Sequence, residues 1–292
     1  MFTGTYTAIV TPFKNGKIDE AAFERLIKNQ IKAGVDGIVP VGTTGESPTV
    51  DIEEHIHIIA LAIKFAAGKI KILAGTGANA TSEAIHLTRE AEKLGADGSL
   101  QVAPYYNKPT QEGLFQHFRE IARNTKLPLV LYSIPGRCGV EIGVDTTKHL
   151  AAACKNIVGI KEAGGSCDRV SQLRAALGSR FEILSGDDSL TVPFMSVGAQ
   201  GVISVASNII PREVSQMVRA YASGDIKKAL QLHQKFYPIF KDLFIETNPV
   251  PVKAALAMMG QIEEEYRLPL VPMAAKNRET LRATLKGCGV LK

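Results

Sequence analysis

Residues 157–163 read Ile-Val-Gly-Ile-Lys-Glu-Ala, a short β-rich apolar run, Ile157–Ile160, that breaks off at a charged pair. Seven similar runs occupy the first two thirds of the chain: Tyr6–Val10, Gly37–Val41, Ile70–Ala74, Gly98–Val102, Leu129–Tyr132, Phe181–Leu184 and Gly201–Val205. Amphipathic stretches separate them. In Ala22–Ile31, Phe23, Leu26, Ile27 and Ile31 share one helical face, and Glu83–Leu94 is a second amphipathic stretch, carrying Ile85, Leu87, Ala91 and Leu94. Asp19, and Thr81 or Ser82, have the chemistry of N-caps, while Gly34, Gly68 and Gly95 are stop signals. Short strands alternating with helices predict parallel βα units, because a parallel pair needs a crossover long enough to hold a helix. Eight such units close a (β/α)₈ TIM barrel, and 292 residues suit one with an appendage. An open doubly wound sheet uses the same alternation, but its glycine fingerprint is incomplete: Gly75-Thr76-Gly77-Ala78-Asn79-Ala80 lacks the final glycine.

After Ser223-Gly224 the rhythm changes. Ile226–Phe244, Val252–Met259 and Ala274–Leu285 read as helices with no strand between them, and Pro249, Pro251, Pro269 and Pro272 punctuate the connections. The expected organisation is a barrel at 1–224 and a small C-terminal helical domain at 225–292. With no flexible linker before it, that domain is expected to pack on the barrel.

Composition narrows the function classes. An apolar share of 45% with 22% charged residues is that of a soluble globular protein. Cys138, Cys154, Cys167 and Cys288 lie far apart, with neither a CxxC pair nor a histidine at ligand spacing, so they read as free thiols in a reducing compartment. No apolar run approaches the ~20 residues of a membrane span. Met1–Pro12 lacks the basic and apolar regions of an export signal, which makes the cytoplasm the default expectation. A net charge of +5 without a basic block gives no support for nucleic-acid binding.

In such a barrel the chemistry belongs at the C-terminal ends of the strands. In chain order, seven of those ends read Gly42-Thr43-Thr44-Gly45-Glu46, Gly75-Thr76-Gly77, Pro104-Tyr105-Tyr106-Asn107, Tyr132-Ser133-Ile134-Pro135-Gly136-Arg137, Lys161-Glu162, Ser185-Gly186-Asp187-Asp188 and Ile203-Ser204. Lys161 follows an apolar strand, where burial disfavours its charged form and leaves a nucleophilic amine. Such an amine adds to a ketone and, on loss of water, becomes a protonated imine that lets an adjacent methyl group lose a proton. The competing reading is a structural lysine paired with Glu162 or Asp187. Tyr132 offers a phenol facing Lys161 across the barrel mouth to shuttle protons, or merely a ring that plugs the rim. Arg137, in a Pro-Gly turn, suits a bidentate grip on a carboxylate or is a solvated surface arginine. Thr43 and Thr44 offer hydroxyls and backbone N–H groups to a small anion, and no lysine follows in the spacing of a phosphate cradle. Asp187 and Asp188, after Gly186, read as caps of the following helix rather than as metal ligands. No His–carboxylate cluster points to a metal.

With these residues in view, the chain resembles the dihydrodipicolinate synthase family over its whole length, helical tail included. The likeness is carried by GTTGES at 42–47, GTGAN at 75–79, PYYNKPTQEGLFQHF at 104–118, YSIPGR at 132–137, GIKEA at 159–163, SGDD at 185–188 and NPVPVK at 248–253. The GxxGE and lysine-strand motifs are common to the wider pyruvate-dependent aldolases, whereas PYYNKP and the arginine of YSIPGR narrow the match. The resemblance implies condensation of pyruvate with L-aspartate 4-semialdehyde, giving 4-hydroxy-tetrahydrodipicolinate for diaminopimelate and lysine synthesis, with no cofactor. Lys161 is then the imine former, and Tyr132 the proton donor and acceptor, linked to Thr43 and to Tyr106 from a neighbouring subunit. Thr44 and the backbone at Ile203 hold the pyruvate carboxylate, with Gly186 beside the substrate, and Arg137 binds the carboxylate of the semialdehyde. A homotetramer built as a dimer of dimers follows, because one chain cannot complete its own relay.

Two departures from the family pattern stand out. Ser133 replaces a usual asparagine. His55, Asn79, Glu83 and Tyr105 match members inhibited by L-lysine, but Ile52 replaces a ring-bearing residue and Pro48 a small one, which implies weakened feedback. An N-acetylneuraminate lyase or a 2-keto-3-deoxy-sugar acid aldolase uses the same imine, but a polyhydroxylated substrate calls for hydroxyl-binding groups at Arg137. A non-catalytic sensor of pyruvate or lysine has no need of a proton relay.

Overall fold

In the computed structural model, which describes residues 1–292, every expected run is a strand, with boundaries shifted by no more than two residues. The strands are β1 (Gly4–Ala8), β2 (Phe13–Lys14), β3 (Lys17–Ile18), β4 (Gly37–Val39), β5 (Lys71–Gly75), β6 (Gly98–Val102), β7 (Leu129–Ser133), β8 (Ile157–Glu162), β9 (Glu182–Ser185) and β10 (Gly201–Ser204). All but β2 and β3 are parallel neighbours in a closed barrel ordered β1-β10-β9-β8-β7-β6-β5-β4. The (β/α)₈ expectation therefore holds over the open sheet.

The antiparallel β2–β3 hairpin is an addition to the expected strands. Its turn is Asn15-Gly16, both at positive φ (54° and 77°), the dipeptide best suited to a two-residue hairpin turn. The signal was present in the sequence, masked by strands of only two residues each.

Alternation along each strand sorts side chains into two cores. Inward-facing Phe2, Tyr6, Val39, Leu73, Leu100, Val130, Tyr132, Leu184 and Ile203 fill the barrel, and a larger cluster packs between barrel and helices. At the barrel floor Phe2 meets Tyr6 edge-on, ring centroids 5.9 Å apart. Gly37 leaves room for this contact, since a Cβ there would lie 2.3 Å from the Tyr6 ring. The same alternation in β8 points Ile160 and Glu162 outward and brings Lys161 to the inner wall, in register with Tyr132 of β7 and Leu184 of β9.

Helix ends follow the expected chemistry in part. Asp19 caps helix Glu20–Ala33 by accepting from Ala22 N at 3.0 Å, and Gly34 and Gly95 end their helices in the left-handed conformation. The cap of Thr81–Leu94 is instead Ala80. Thr81 and Ser82 lie inside the helix, where Thr81 Oγ1 is 2.9 Å from His117 Nδ1. Helix Ile52–Ala66 ends at Ala67 rather than Gly68.

Helices Ile226–Asp242, Val250–Met258 and Ala275–Gly287 follow the last barrel helix, Pro211–Ala222. Phe236, Ile239, Phe240, Leu243, Val252, Leu281 and Leu285 belong to the same apolar cluster as the barrel–helix core, so these helices pack on the barrel. A fully buried ion pair joins the two regions. Lys253 Nζ donates to Glu46 Oε1, and the amine lies 4.4 Å from the Phe13 ring centroid. All four cysteines are free, and no helix is long and apolar enough to cross a membrane.

Candidate active site

The strand-to-loop turn after β4 is strained. Val41, a β-branched residue, has φ 52°, and Glu46 has φ 57°. Conformations of this kind cost on the order of 1–3 kcal/mol and persist only where the surroundings enforce them. Between them Thr43–Gly45 makes a single 3₁₀ turn that brings Thr43 and Thr44 to the barrel mouth. There they line a small chamber of about 40 Å³ together with Tyr132, Arg137, Lys161, Gly186, Phe244 and Asn248. The chamber shares Thr43, Tyr132 and Arg137 with an outer cleft of about 200 Å³.

Lys161 is 5% exposed and has no ion-pair partner. Neither proposed structural partner engages it: Glu162 is bound by Arg169 (Nε–Oε2 2.7 Å), and Asp187 accepts from Ser189 N (2.8 Å) and Oγ (2.7 Å). Burial brings the amine down from 10.5 to about 7; the field of Asp188 opposes the fall and that of Arg137 adds to it. Burial thus favours the neutral amine, the form a nucleophile needs. Its Nζ stands 4.1 Å from the centroid of the Tyr132 ring. Tyr132 is therefore beside Lys161 on the adjacent strand, not across the mouth as expected. Register between strands is tertiary information and decides this.

Burial pushes the Tyr132 phenol up to about 12, against the lowering effect of the Thr43 hydroxyl and the Arg137 guanidinium. The phenol keeps its proton at neutral pH and can give it to a leaving hydroxyl. Arg137 Nη2 donates to the backbone carbonyl of Asn248 at 3.1 Å, and Asn248 Nδ2 donates to Thr44 Oγ1 at 3.0 Å. Asn248 had been quoted only as part of a motif. It lies in the turn between helices Ile226–Asp242 and Val250–Met258, more than a hundred residues further along the chain, and only the NPVPVK run hinted at it.

Gly186 belongs here through what it lacks, since a Cβ would lie 3.0 Å from Lys161 Cε and 2.6 Å from Ala163 Cβ. Ile203 packs inside the barrel, its side chain absent from the chamber lining. Tyr106 is not in its own chain's site at all. It is 91% exposed at φ 69°.

The expectation for Asp188 was wrong. It does not cap the following helix, Thr191–Ser196, which has no side-chain cap. Its carboxylate reaches over to the end of β10, where Ser204 Oγ donates to one oxygen and the N–H groups of Val205 (3.0 Å) and Ala206 (2.9 Å) to the other. A local rule about acids before helices lost to a tertiary contact.

Of the residues matched to lysine-inhibited relatives, Tyr105 lines the outer cleft, as does Pro48, one of the two departures from that pattern. Glu83 is close enough for its charge, second to burial, to raise the Tyr105 phenol. Asn79 meets Asn107 through its backbone carbonyl (3.0 Å), and His55 is buried with Nε2 2.7 Å from Gly75 O.

The family model described as the Dihydrodipicolinate synthetase family matches residues 1–288. The chain belongs to that family. A relative named 4-hydroxy-tetrahydrodipicolinate synthase, from Aquifex aeolicus, is 52% identical over 286 residues, covering 98% of this chain and 97% of its own. The solved 4-hydroxy-tetrahydrodipicolinate synthase of the thermoacidophilic methanotroph Methylacidiphilum fumariolicum SolV superposes with TM-score 0.98 at 61% identity, covering 99% of this chain and 96% of that one. The chloride-inhibited dihydrodipicolinate synthase of Acinetobacter baumannii, solved in complex with pyruvate, matches with TM-score 0.97 at 46% identity over the full length of both chains. Membership in the dihydrodipicolinate synthetase family thus spans the barrel and the C-terminal helices alike.

Proposed function

We propose that this chain is a lyase that condenses pyruvate with L-aspartate 4-semialdehyde to give 4-hydroxy-tetrahydrodipicolinate, through an imine on Lys161. The observation that carries this reading is a buried, unpaired amine, its pKa brought down by burial, lying against the phenol-bearing ring of Tyr132. Neutral Lys161 adds to the ketone carbon of pyruvate, and Tyr132 supplies a proton to the departing hydroxyl, so that water leaves and a protonated imine remains. Loss of a methyl proton gives the enamine, whose carbon attacks the aldehyde of the second substrate. The semialdehyde's own amine then displaces Lys161 and closes the ring. Thr44, the backbone at Ile203 and the open space at Gly186 accommodate the pyruvate end, and Arg137 holds the carboxylate of the semialdehyde. The exposed Tyr106 extends the Tyr132–Thr43 relay of a second copy, which favours a dimer, paired in turn into a tetramer, working in the cytoplasm. In this reading the barrel, 1–224, carries the reacting groups, and 225–292 closes the site over them.

Incubation with pyruvate and borohydride should leave a reduced adduct on the peptide containing Lys161, and turnover should follow when aspartate semialdehyde is supplied. Arg137→Ala should keep the adduct but raise KM for the semialdehyde roughly 10–100-fold, the usual loss of a charged anchor. Faster turnover of N-acetylneuraminate or a keto-deoxy-sugar acid than of the semialdehyde would overturn the assignment in favour of a sister lyase.

Feedback by L-lysine is proposed to be present but weak. Ile52, 45% exposed, offers no polar group, and His55 is already committed to Gly75. Glu83 remains to attract an ammonium group. Strong inhibition by micromolar lysine in the same assay would contradict this.

A further inference from the structure

The buried charges of this protein fall into pairs with one set left over. Four acidic side chains are buried: Glu46, Glu162, Glu182 and Asp188. The first three have cations against them, namely Lys253, Arg169 and the amino group of Met1. Among buried lysines and arginines, Lys253 and Arg169 are thereby accounted for, and Lys161 is not. The two unmatched groups, Asp188 and Lys161, sit on neighbouring strand ends of the barrel mouth, after β9 and in β8.

We propose that Asp188 is the counter-charge of the imine-forming centre, a positioning residue that holds a fixed negative charge beside Lys161 while pinning the turn after β10. The proposal rests on the imine reading above. Asp188 is 1% exposed, and its three donors, Ser204 Oγ and the N–H groups of Val205 and Ala206, fix it without neutralising it. An amide in its place would keep the two backbone contacts but would have to reverse the third, donating to a Ser204 Oγ that already accepts from Ser207 N at 2.9 Å. A centre that becomes cationic when the imine forms gains from a charge already in place, since no solvent has to reorganise around it. The other ionisable groups facing the pair are Asp187 on the same loop, and Arg137 and Tyr132 at the end of β7. Burial raises the Asp188 carboxyl to about 6, so it is mostly ionised at neutral pH, and its field is the largest that opposes the fall in the Lys161 amine.

Asp188→Asn keeps two of the contacts, its amide oxygen accepting from Val205 and Ala206, and reverses the third, its amide nitrogen donating to Ser204 Oγ while the Ser204 hydroxyl turns away. The acid limb of pyruvate trapping by borohydride should move about one pH unit lower, because Lys161 loses a neighbour that favours its protonated form. In the same variant kcat should fall roughly 10–100-fold as the iminium loses its counter-charge. An unchanged limb, or a kcat within twofold of the parent, would overturn the proposal. A second readout holds if folding is impaired. At pH 7 the loss in Tm caused by Asp188→Asn should be larger in the parent than in a Lys161→Met background, where the partner charge is gone. Equal losses in both backgrounds, including failure of both to fold, would mean a purely structural aspartate. If the parent itself gives no adduct on Lys161, the imine reading fails, and the Tm comparison still decides whether the two charges are coupled.

Discussion

Replacing Lys161 with methionine is expected to abolish turnover and to make the protein more stable. The first effect follows from the chemistry. No other amine lines the chamber, so the loss in kcat/KM should be ~10³-fold or greater, with no borohydride-trapped adduct. The second follows from proton linkage. The folded amine titrates near 7, well below the 10.5 of an exposed lysine, so between those values the unfolded chain binds more protons than the folded one. Lys161 therefore weakens the fold, not at all above about 10.5, increasingly as pH falls through that window, and fully below about 7. Methionine fills similar space without a charge to desolvate. The gain should be a few kcal/mol at pH 7, roughly 5–10 °C in Tm, and should vanish near pH 10. Melting curves of both proteins across that range test it. A variant that melts lower than the parent at pH 7 would show that Lys161 stabilises the barrel through contacts rather than straining it.

The opposite outcome is expected at the other unexposed lysine. Lys253→Met strands the Glu46 carboxylate in the interior, where both members of the pair are fully buried. Breaking such a pair by removing one partner costs about 3–5 kcal/mol, whereas replacing both partners is often nearly neutral. The single variant should melt roughly 10 °C lower, and Glu46→Gln with Lys253→Met should recover much of that loss. Recovery of activity should lag behind recovery of stability. Glu46 terminates the turn that carries Thr43 and Thr44, and it also accepts from Arg267 N at 3.3 Å. Denaturation by urea alongside the pyruvate assay separates the two effects. If the single substitution leaves the urea midpoint unmoved, the pair is not holding the C-terminal helices to the barrel.

The contrast between these lysines shows what could be read from the sequence. Strand and helix periodicities are local, so the barrel was legible, and Lys161 was identifiable as the residue at which an apolar strand stops. Its pKa was not legible, because that depends on which charges the fold leaves unmatched around it. The mouth geometry was only half legible. Tyr132 was picked correctly as a strand-end phenol, yet its place beside Lys161 required the register between β7 and β8. Asp188 was misread by a rule of sequence neighbourhood, and Asn248 and Lys253 were passed over because their partners, Thr44 and Glu46, are 204 and 207 residues away. The Asn15-Gly16 hairpin was the one miss for which the signal was entirely local.

The reach of Asn248 back to Thr44 and Arg137 has a consequence for the protein's synthesis. A ribosome making this chain finishes Lys161, Tyr132 and Arg137 long before residue 248 emerges. Until then Lys161 exists without the asparagine that joins the Thr43–Gly45 turn to Arg137. The joint between that turn and Arg137 is thus a property of the polypeptide completed past residue 248.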